Sequence, residues 1–273
     1  MSGLGYRGVE GLLVQLSTDG VLRLALDRPD KRNALTDEMV AALIEAVDTA
    51  GRDEAVRVIL LTGSGDHFCA GFDIVARNEA TGGGRPRAGS VQRRLPSQAH
   101  RLIPLVTSVQ TPVVCAVRGW VAGIGLHLVL AADFTVAAAD AQFWEPFAER
   151  GFTPDSGGTW LLPRRVGELR ARELLLLGRR LDGTEAATWG LVHRVVPAGD
   201  LDTETEALVA RLAAGPTVSL GLTKWLMHAA ADASLEAHLG DEAFALELSS
   251  RSDDFREGLA AFRERRPPRF TGR

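Results

Sequence analysis

Phe68-Cys69-Ala70-Gly71-Phe72-Asp73-Ile74 and Gly119-Trp120-Val121-Ala122-Gly123-Ile124-Gly125-Leu126 are the segments on which the reading of this chain turns. Each follows an apolar run, Val56 to Thr62 before the first and Pro112 to Val117 before the second. Runs this apolar read as strands covered on both faces. Each segment is punctuated by glycine where a strand gives way to a helix. The opening turn of a helix carries backbone N–H groups with no carbonyl behind them, aimed at whatever lies in front. Two such turns converging on one oxygen form an oxyanion hole. The glycines at 119, 123 and 125 do not spell G-x-G-x-x-G, and no GK[ST] follows a glycine run. The sequence signatures of dinucleotide-binding and phosphate-cradling loops are therefore missing.

Upstream, Leu12 to Leu16 and Val21 to Leu26 alternate around Asp19-Gly20, a hairpin signal. The chain turns at Arg28-Pro29. Thr36 is placed to cap a helix whose apolar face is Met39, Val40, Leu43, Ile44 and Val47. Residues 81–87 are glycine-rich and basic and read as a loop. A helix is predicted from near Val91 to Val106, another through Leu130, and a strand from Phe134 to Ala137. A helical stretch includes Val166 to Leu177. Thr184 is the predicted cap of a short helix with Ala186, Ala187 and Trp189, and Val192 to Val196 reads as a strand. After Pro197 come four amphipathic segments, Leu201–Ala214, Val218–Ala231, Leu235–Leu248 and Phe255–Arg263. The expected division is a core over residues 1–197 carrying the site and a helical region over residues 198–273.

The 273 residues suffice for a sizeable core. Net charge of -4 gives no general reason to expect nucleic-acid binding. Both cysteines, Cys69 and Cys115, sit in apolar segments, as reduced core thiols of a cytoplasmic protein do. No secretory signal and no membrane-length apolar run is legible. The histidines show no H-E-x-x-H and no paired Cys/His spacing, so no metal site is expected. G-x-S-x-G is absent, which argues against a serine hydrolase.

Five blocks in order give the chain a wider meaning. They are Arg28-Pro29-Asp30-Lys31-Arg32-Asn33-Ala34-Leu35, Ala70-Gly71-Phe72-Asp73, the segment opening at Gly119, Pro154-Asp155-Ser156-Gly157-Gly158-Thr159, and the tail from Phe262 to Phe270. Together they resemble the crotonase superfamily, the enoyl-CoA hydratases and isomerases, over nearly the whole chain. The wording at 152–167 and 252–273 is most similar to the ring-epoxide and enoyl-CoA isomerases of phenylacetate breakdown. The resemblance implies an α/β fold, a spiral of ββα units followed by a C-terminal helical trimerisation region. It implies an acyl-CoA thioester substrate, with coenzyme A entering as part of the substrate and no other cofactor. It also implies assembly as a homotrimer or dimer of trimers. The amides of Phe72 and Ile124 become the oxyanion donors. Arg28, Lys31, Ala34, Ala70, Gly71, Asp73, Ile74, Trp120, Gly123 and Phe147 become candidates for contact with the substrate and its CoA.

Thioester chemistry at the α-carbon needs a base as well as donors. Hydratases of the family use two glutamates, at positions where this chain has His127 and Phe147. Asp155 stands where the family's isomerases place their single catalytic carboxylate. One carboxylate suffices to take a proton from one carbon and return it two carbons away. The alternative for Asp155 is a helix cap ahead of Ser156-Gly157-Gly158. Glu145, His127 and His100 are further acid/base candidates. For His127 the other reading is a hydrogen-bonded structural residue. The spacing of His100 resembles that of an aromatic-acyl dehalogenase of the superfamily. A hydratase using a non-standard carboxylate and a non-catalytic acyl-CoA-binding protein stand beside the isomerase reading.

Overall fold

A computed structural model describes residues 5–76 and 87–273. The glycine-rich stretch expected as a loop therefore lies outside the described residues, apart from Arg87. Six strands form the main sheet in the order β1-β2-β3-β4-β6-β9. They are β1 (Leu12–Leu16), β2 (Val21–Leu26), β3 (Val58–Gly63), β4 (Val113–Val117), β6 (Phe134–Ala138) and β9 (Arg194–Val196). The predicted hairpin forms in register, Leu12 opposite Leu26 and Leu16 opposite Leu22. Every other pairing in this sheet is parallel. A smaller sheet, β5-β7-β8, joins β5 (Trp120–Ala122), β7 (Gln142–Trp144) and β8 (Arg180–Asp182).

The apolar strands are buried on both faces, as parallel strands under helices must be. In β3, Ile59 and Leu61 join the larger core while Val58 and Leu60 join a second one. In β4, Val113, Cys115 and Val117 face the first and Val114 and Ala116 the second. The larger core is closed by α1 (Asp37–Ala50), α3 (Ala99–Ser108) and α4 (Ile124–Ala131). The second is covered by Leu201, Val209 and Ala213 of α8 (Leu201–Ala213). Removing each such Val, Leu or Ile from water is worth about 1.5–3 kcal/mol. Thr36 caps α1, its Oγ1 accepting from the Met39 amide at 3.2 Å. Burial pushes the Cys69 thiol up to about 12 and the Cys115 thiol upward as well. Both are protonated core groups at neutral pH.

Local punctuation alters three expectations. The helix read from Val91 to Val106 is broken into α2 (Ser90–Arg94), a 3-10 turn over Leu95–Ser97 and α3. Pro96 cannot donate to a continuing helix. The stretch around Val166 to Leu177 is two helices, α5 (Gly158–Val166) and α6 (Glu168–Leu177), hinged at Gly167 with φ 80°. The cap of α7 (Gly183–Thr188) is Asp182, which accepts from the Glu185 amide at 2.8 Å, and not Thr184. Beyond α8, the chain continues as α9 (Thr217–Ala229), α10 (Leu235–Ser249) and α11 (Asp253–Glu264). No helix among the described residues is long and apolar enough to cross a membrane.

Candidate active site

The two glycine-punctuated segments do meet. The Phe68 amide donates to the Arg118 carbonyl at 2.8 Å and the Cys69 amide to the Trp120 carbonyl at 2.9 Å. The Ala122 amide returns a bond to the Cys69 carbonyl at 2.9 Å. Gly125 is the close-approach glycine of this junction. A Cβ there would sit 2.7 Å from the Cβ of Cys69 and 2.8 Å from its carbonyl oxygen. The Arg28–Leu35 block is tied on as a third layer: Leu35 donates to the Gly71 carbonyl at 2.8 Å and accepts from the Asp73 amide at 2.9 Å. Asn33 organises this layer from a fully buried, left-handed position (φ 56°) that Asn tolerates. Its Oδ1 accepts from the Arg28 amide at 2.8 Å, and its Nδ2 donates to the carbonyls of Ser64 and His67 at 2.9 and 2.6 Å.

A cleft of about 840 Å³ opens at the junction. Ala70, Gly71, Phe72, Ile74, Gly123, Ile124, Phe147 and Asp155 all line it. Ile124 is the first residue of α4, where an amide N–H has no intrahelical carbonyl to bond. Phe72 lies just ahead of the helical turn that opens at Ile74. The wall is partly aromatic, Phe152 meeting Phe147 edge to face with centroids 5.3 Å apart. Among the described lining residues, Asp155 is the sole carboxylic acid. It is not a helix cap: α5 has Gly157 at its N-cap and makes no side-chain cap hydrogen bond. The capping alternative is thereby corrected, because the left-handed Gly157 (φ 92°) starts the helix two residues later.

Other candidates are placed differently. Arg28 donates to Asp73 Oδ2 at 2.9 Å and to the Ala34 carbonyl at 2.7 Å, so its guanidinium is engaged inside the motif layer. The Ala76 amide, and after it Arg28, hold the Asp73 carboxyl below the usual carboxylate range against partial burial. Lys31 sits on the exposed 3-10 turn after β2. Trp120 packs on Trp144 at 5.8 Å and under Arg180 at 5.4 Å in the small sheet. Arg28, Lys31, Ala34, Asp73 and Trp120 are not among the residues lining the cleft.

His100 lines the cleft, but its Nε2 lies 2.9 Å from the Asp155 backbone carbonyl. A carbonyl only accepts, so Nε2 donates this bond, and any base role of the ring falls to Nδ1. His127 and Glu145 are completely buried and are bonded to each other at 3.0 Å. The His127 ring stacks on Phe147, which separates it from the open cleft. Sequence reasoning missed the cations that line the cleft, Arg87, Arg94 and Arg150. It also left Ser156 without a role, although that residue lies inside a quoted motif. Lone arginines in loops and short helices carry no periodic signal.

Comparison with known proteins follows this geometry. The profile of the enoyl-CoA hydratase/isomerase family matches residues 17–273. The chain is 42% identical over 255 residues to the 1,2-epoxyphenylacetyl-CoA isomerase of Escherichia coli strain K12, covering 93% of this chain and 96% of that protein. It is 30% identical over 260 residues to the trans-2-decenoyl-[acyl-carrier-protein] isomerase of Streptococcus mutans serotype c, covering 93% and 96%. The crystal structure of an enoyl-CoA hydratase from Bacillus anthracis superposes with a TM-score of 0.88 at 30% identity, covering 96% of this chain and 100% of that one.

Proposed function

The chain belongs to the enoyl-CoA hydratase/isomerase family and has the crotonase fold, and on that premise we propose that it isomerises acyl-CoA thioesters with Asp155 as the acid/base. In this reading the thioester oxygen sits between the amides of Phe72 and Ile124, and the acyl group lies against Phe72, Phe147 and Phe152. Asp155 takes a proton from the α-carbon of a 3-enoyl thioester. The electron pair moves into the enolate held by the two amides. The double bond shifts, and the same proton returns to the γ-carbon. A ring-shaped acyl group would be handled by the same base and the same donors.

The observation that carries the reading is that Asp155 is the one acid among the described residues lining the cleft. Hydration needs one group to activate water and another to protonate the α-carbon. At positions 127 and 147, histidine and phenylalanine stand where two glutamates would serve that purpose. A curated relative at 42% identity is named as a 1,2-epoxyphenylacetyl-CoA isomerase, in keeping with this reading, while another at 40% identity is named as a probable enoyl-CoA hydratase.

The deciding experiment is a turnover panel of 3-enoyl-, 2-enoyl- and aromatic acyl-CoAs. The expected result is double-bond or ring isomerisation with slow hydration. Rapid hydration of crotonyl-CoA would replace this reading with a hydratase using an unusual carboxylate. Binding across the panel with no turnover would replace it with an acyl-CoA-binding role. The same proposal includes a homotrimer or dimer of trimers. Leu235, Leu239, Phe244, Phe255 and Phe262 of α10 and α11 are exposed apolar side chains that a neighbouring subunit would cover. A monomer by light scattering at micromolar concentration would overturn that part.

A further inference from the structure

We propose that Glu145, His127 and Ser156 form a buried hydrogen-bond relay that positions the Asp155 carboxylate, an inference that rests on the acid/base reading of Asp155. Ser156 Oγ donates to Asp155 Oδ1 at 3.0 Å. A serine hydroxyl has one proton, so the contact at 2.7 Å between Ser156 Oγ and His127 Nδ1 must be donated by the imidazole. That leaves His127 Nε2 facing Glu145 Oε1 at 3.0 Å, with one proton between them. The first bond thus fixes the direction of the second. Glu145 and His127 are 0% exposed and Ser156 is 1% exposed.

Such a chain is an expensive way to fill a core. Burying polar groups costs free energy that hydrogen bonds only offset, and apolar residues of similar volume would serve stability as well. Glu145 Oε2 has no hydrogen-bond partner among the described residues, so the carboxyl's one polar tie is to His127. The backbone is shaped to admit the ring: a Cβ on Gly158 would collide with the His127 imidazole. The residue types are those of an acyl-transfer triad, but the serine is sealed from the cleft and its proton is committed to Asp155, so it is not a nucleophile. The relay instead fixes Oδ1. Among the described residues no donor is bonded to Oδ2, and that oxygen is left to the substrate. Ser156, His127 and Glu145 are positioning residues, since none of them touches the reacting atoms.

The test is a double-mutant cycle on isomerisation of 3-hexenoyl-CoA, with melting curves throughout. Ser156→Ala should lower kcat about 10-fold or more, the effect of one hydrogen bond to a charged group, with KM within about twofold. Glu145→Gln, at the far end, should cause a smaller loss in kcat that disappears in the Ser156→Ala background. In an Asp155→Asn background Ser156→Ala should add no further loss, because groups acting as one unit are not additive. Wild-type kcat in Ser156→Ala overturns the relay. So do equal fold-losses with and without the Asp155 carboxylate, the pattern of a merely structural role. If Ser156→Ala melts early, additive effects of Glu145→Gln and Asp155→Asn overturn it in the same way. Unchanged kcat in Asp155→Asn alone removes the acid/base reading beneath the relay.

Discussion

His127 and Phe147 stack with their rings parallel and offset, centroids 5.9 Å apart and planes within 5° of parallel. They occupy the two positions where hydratases of the family carry glutamates. In this chain an aromatic ring lines the cleft there and a buried imidazole packs behind it. Phe147 is itself buried, and its loss leaves a cavity against His127. Phe147→Ala is expected to destabilise the protein by about 3–5 kcal/mol, and Phe147→Leu by much less. Urea denaturation measures both, and near-equal midpoints for wild type and Phe147→Ala would contradict the packing described.

Asp155→Asn should sharply lower kcat for isomerisation while leaving CoA-thioester affinity nearly intact. A positioned base contributes only once a proton moves, an effect of roughly 100- to 10,000-fold. Because Gly157 and not Asp155 caps α5, the melting temperature should hardly change. The measurements are kcat, the Kd of a 3-enoyl-CoA, and a melting curve. A drop in Kd affinity matching the drop in kcat would mean that Asp155 binds rather than catalyses.

Ile124 offers a way to delete a backbone donor. Proline is tolerated at the first position of a helix and has no N–H. Ile124→Ala keeps the amide and loses the buried side chain, whereas Ile124→Pro loses both. The kcat ratio between the two variants isolates the donor, and it should be about 100- to 1,000-fold. A ratio near one, with both proteins folded, would remove Ile124 from the oxyanion hole.

The Arg28–Asp73 pair predicts a pH dependence. The Asp73 carboxyl is held below its ordinary value of 3.8 by the Ala76 amide first and by Arg28. A depressed acid contributes stability that is present above the unfolded-state value and is lost as pH falls through the folded-state value. Asp73→Asn should therefore destabilise the protein at pH 7, by about 1.5–3 kcal/mol for hydrogen bonds to a charged group. That difference should shrink below a pH of about 4 and vanish once the wild-type carboxyl is itself protonated. Denaturation series at several pH values read this directly. A difference that stays constant down to the acid end would refute it.

The elements of this protein were legible because their signals are local. Alternation around Asp19-Gly20 set the hairpin register, Thr36 marked the start of α1, and apolar runs marked β3 and β4. Where the reading failed, it failed at punctuation, at Pro96, Gly167 and Asp182, where one residue decides a boundary. Five motifs in order were enough to indicate the family and to single out Asp155.

What remained closed to the sequence was which side chains would find each other. A helix cap stood as the alternative for Asp155, and only the left-handed turn at Gly157 removes it. Arg28 and Lys31 read as candidates for contact with the CoA, yet Arg28 is claimed by Asp73, 45 residues away. His127 and Ser156 are 29 residues apart and His127 and Glu145 are 18 apart, on elements brought together by the packing of α4 against α5 and by the pairing of β5 with β7. Turn chemistry and hydrophobic period act over a few residues, so one chain segment is enough to read them. A hydrogen-bond partner is chosen by geometry after the core has closed, and the tertiary fold alone decides that.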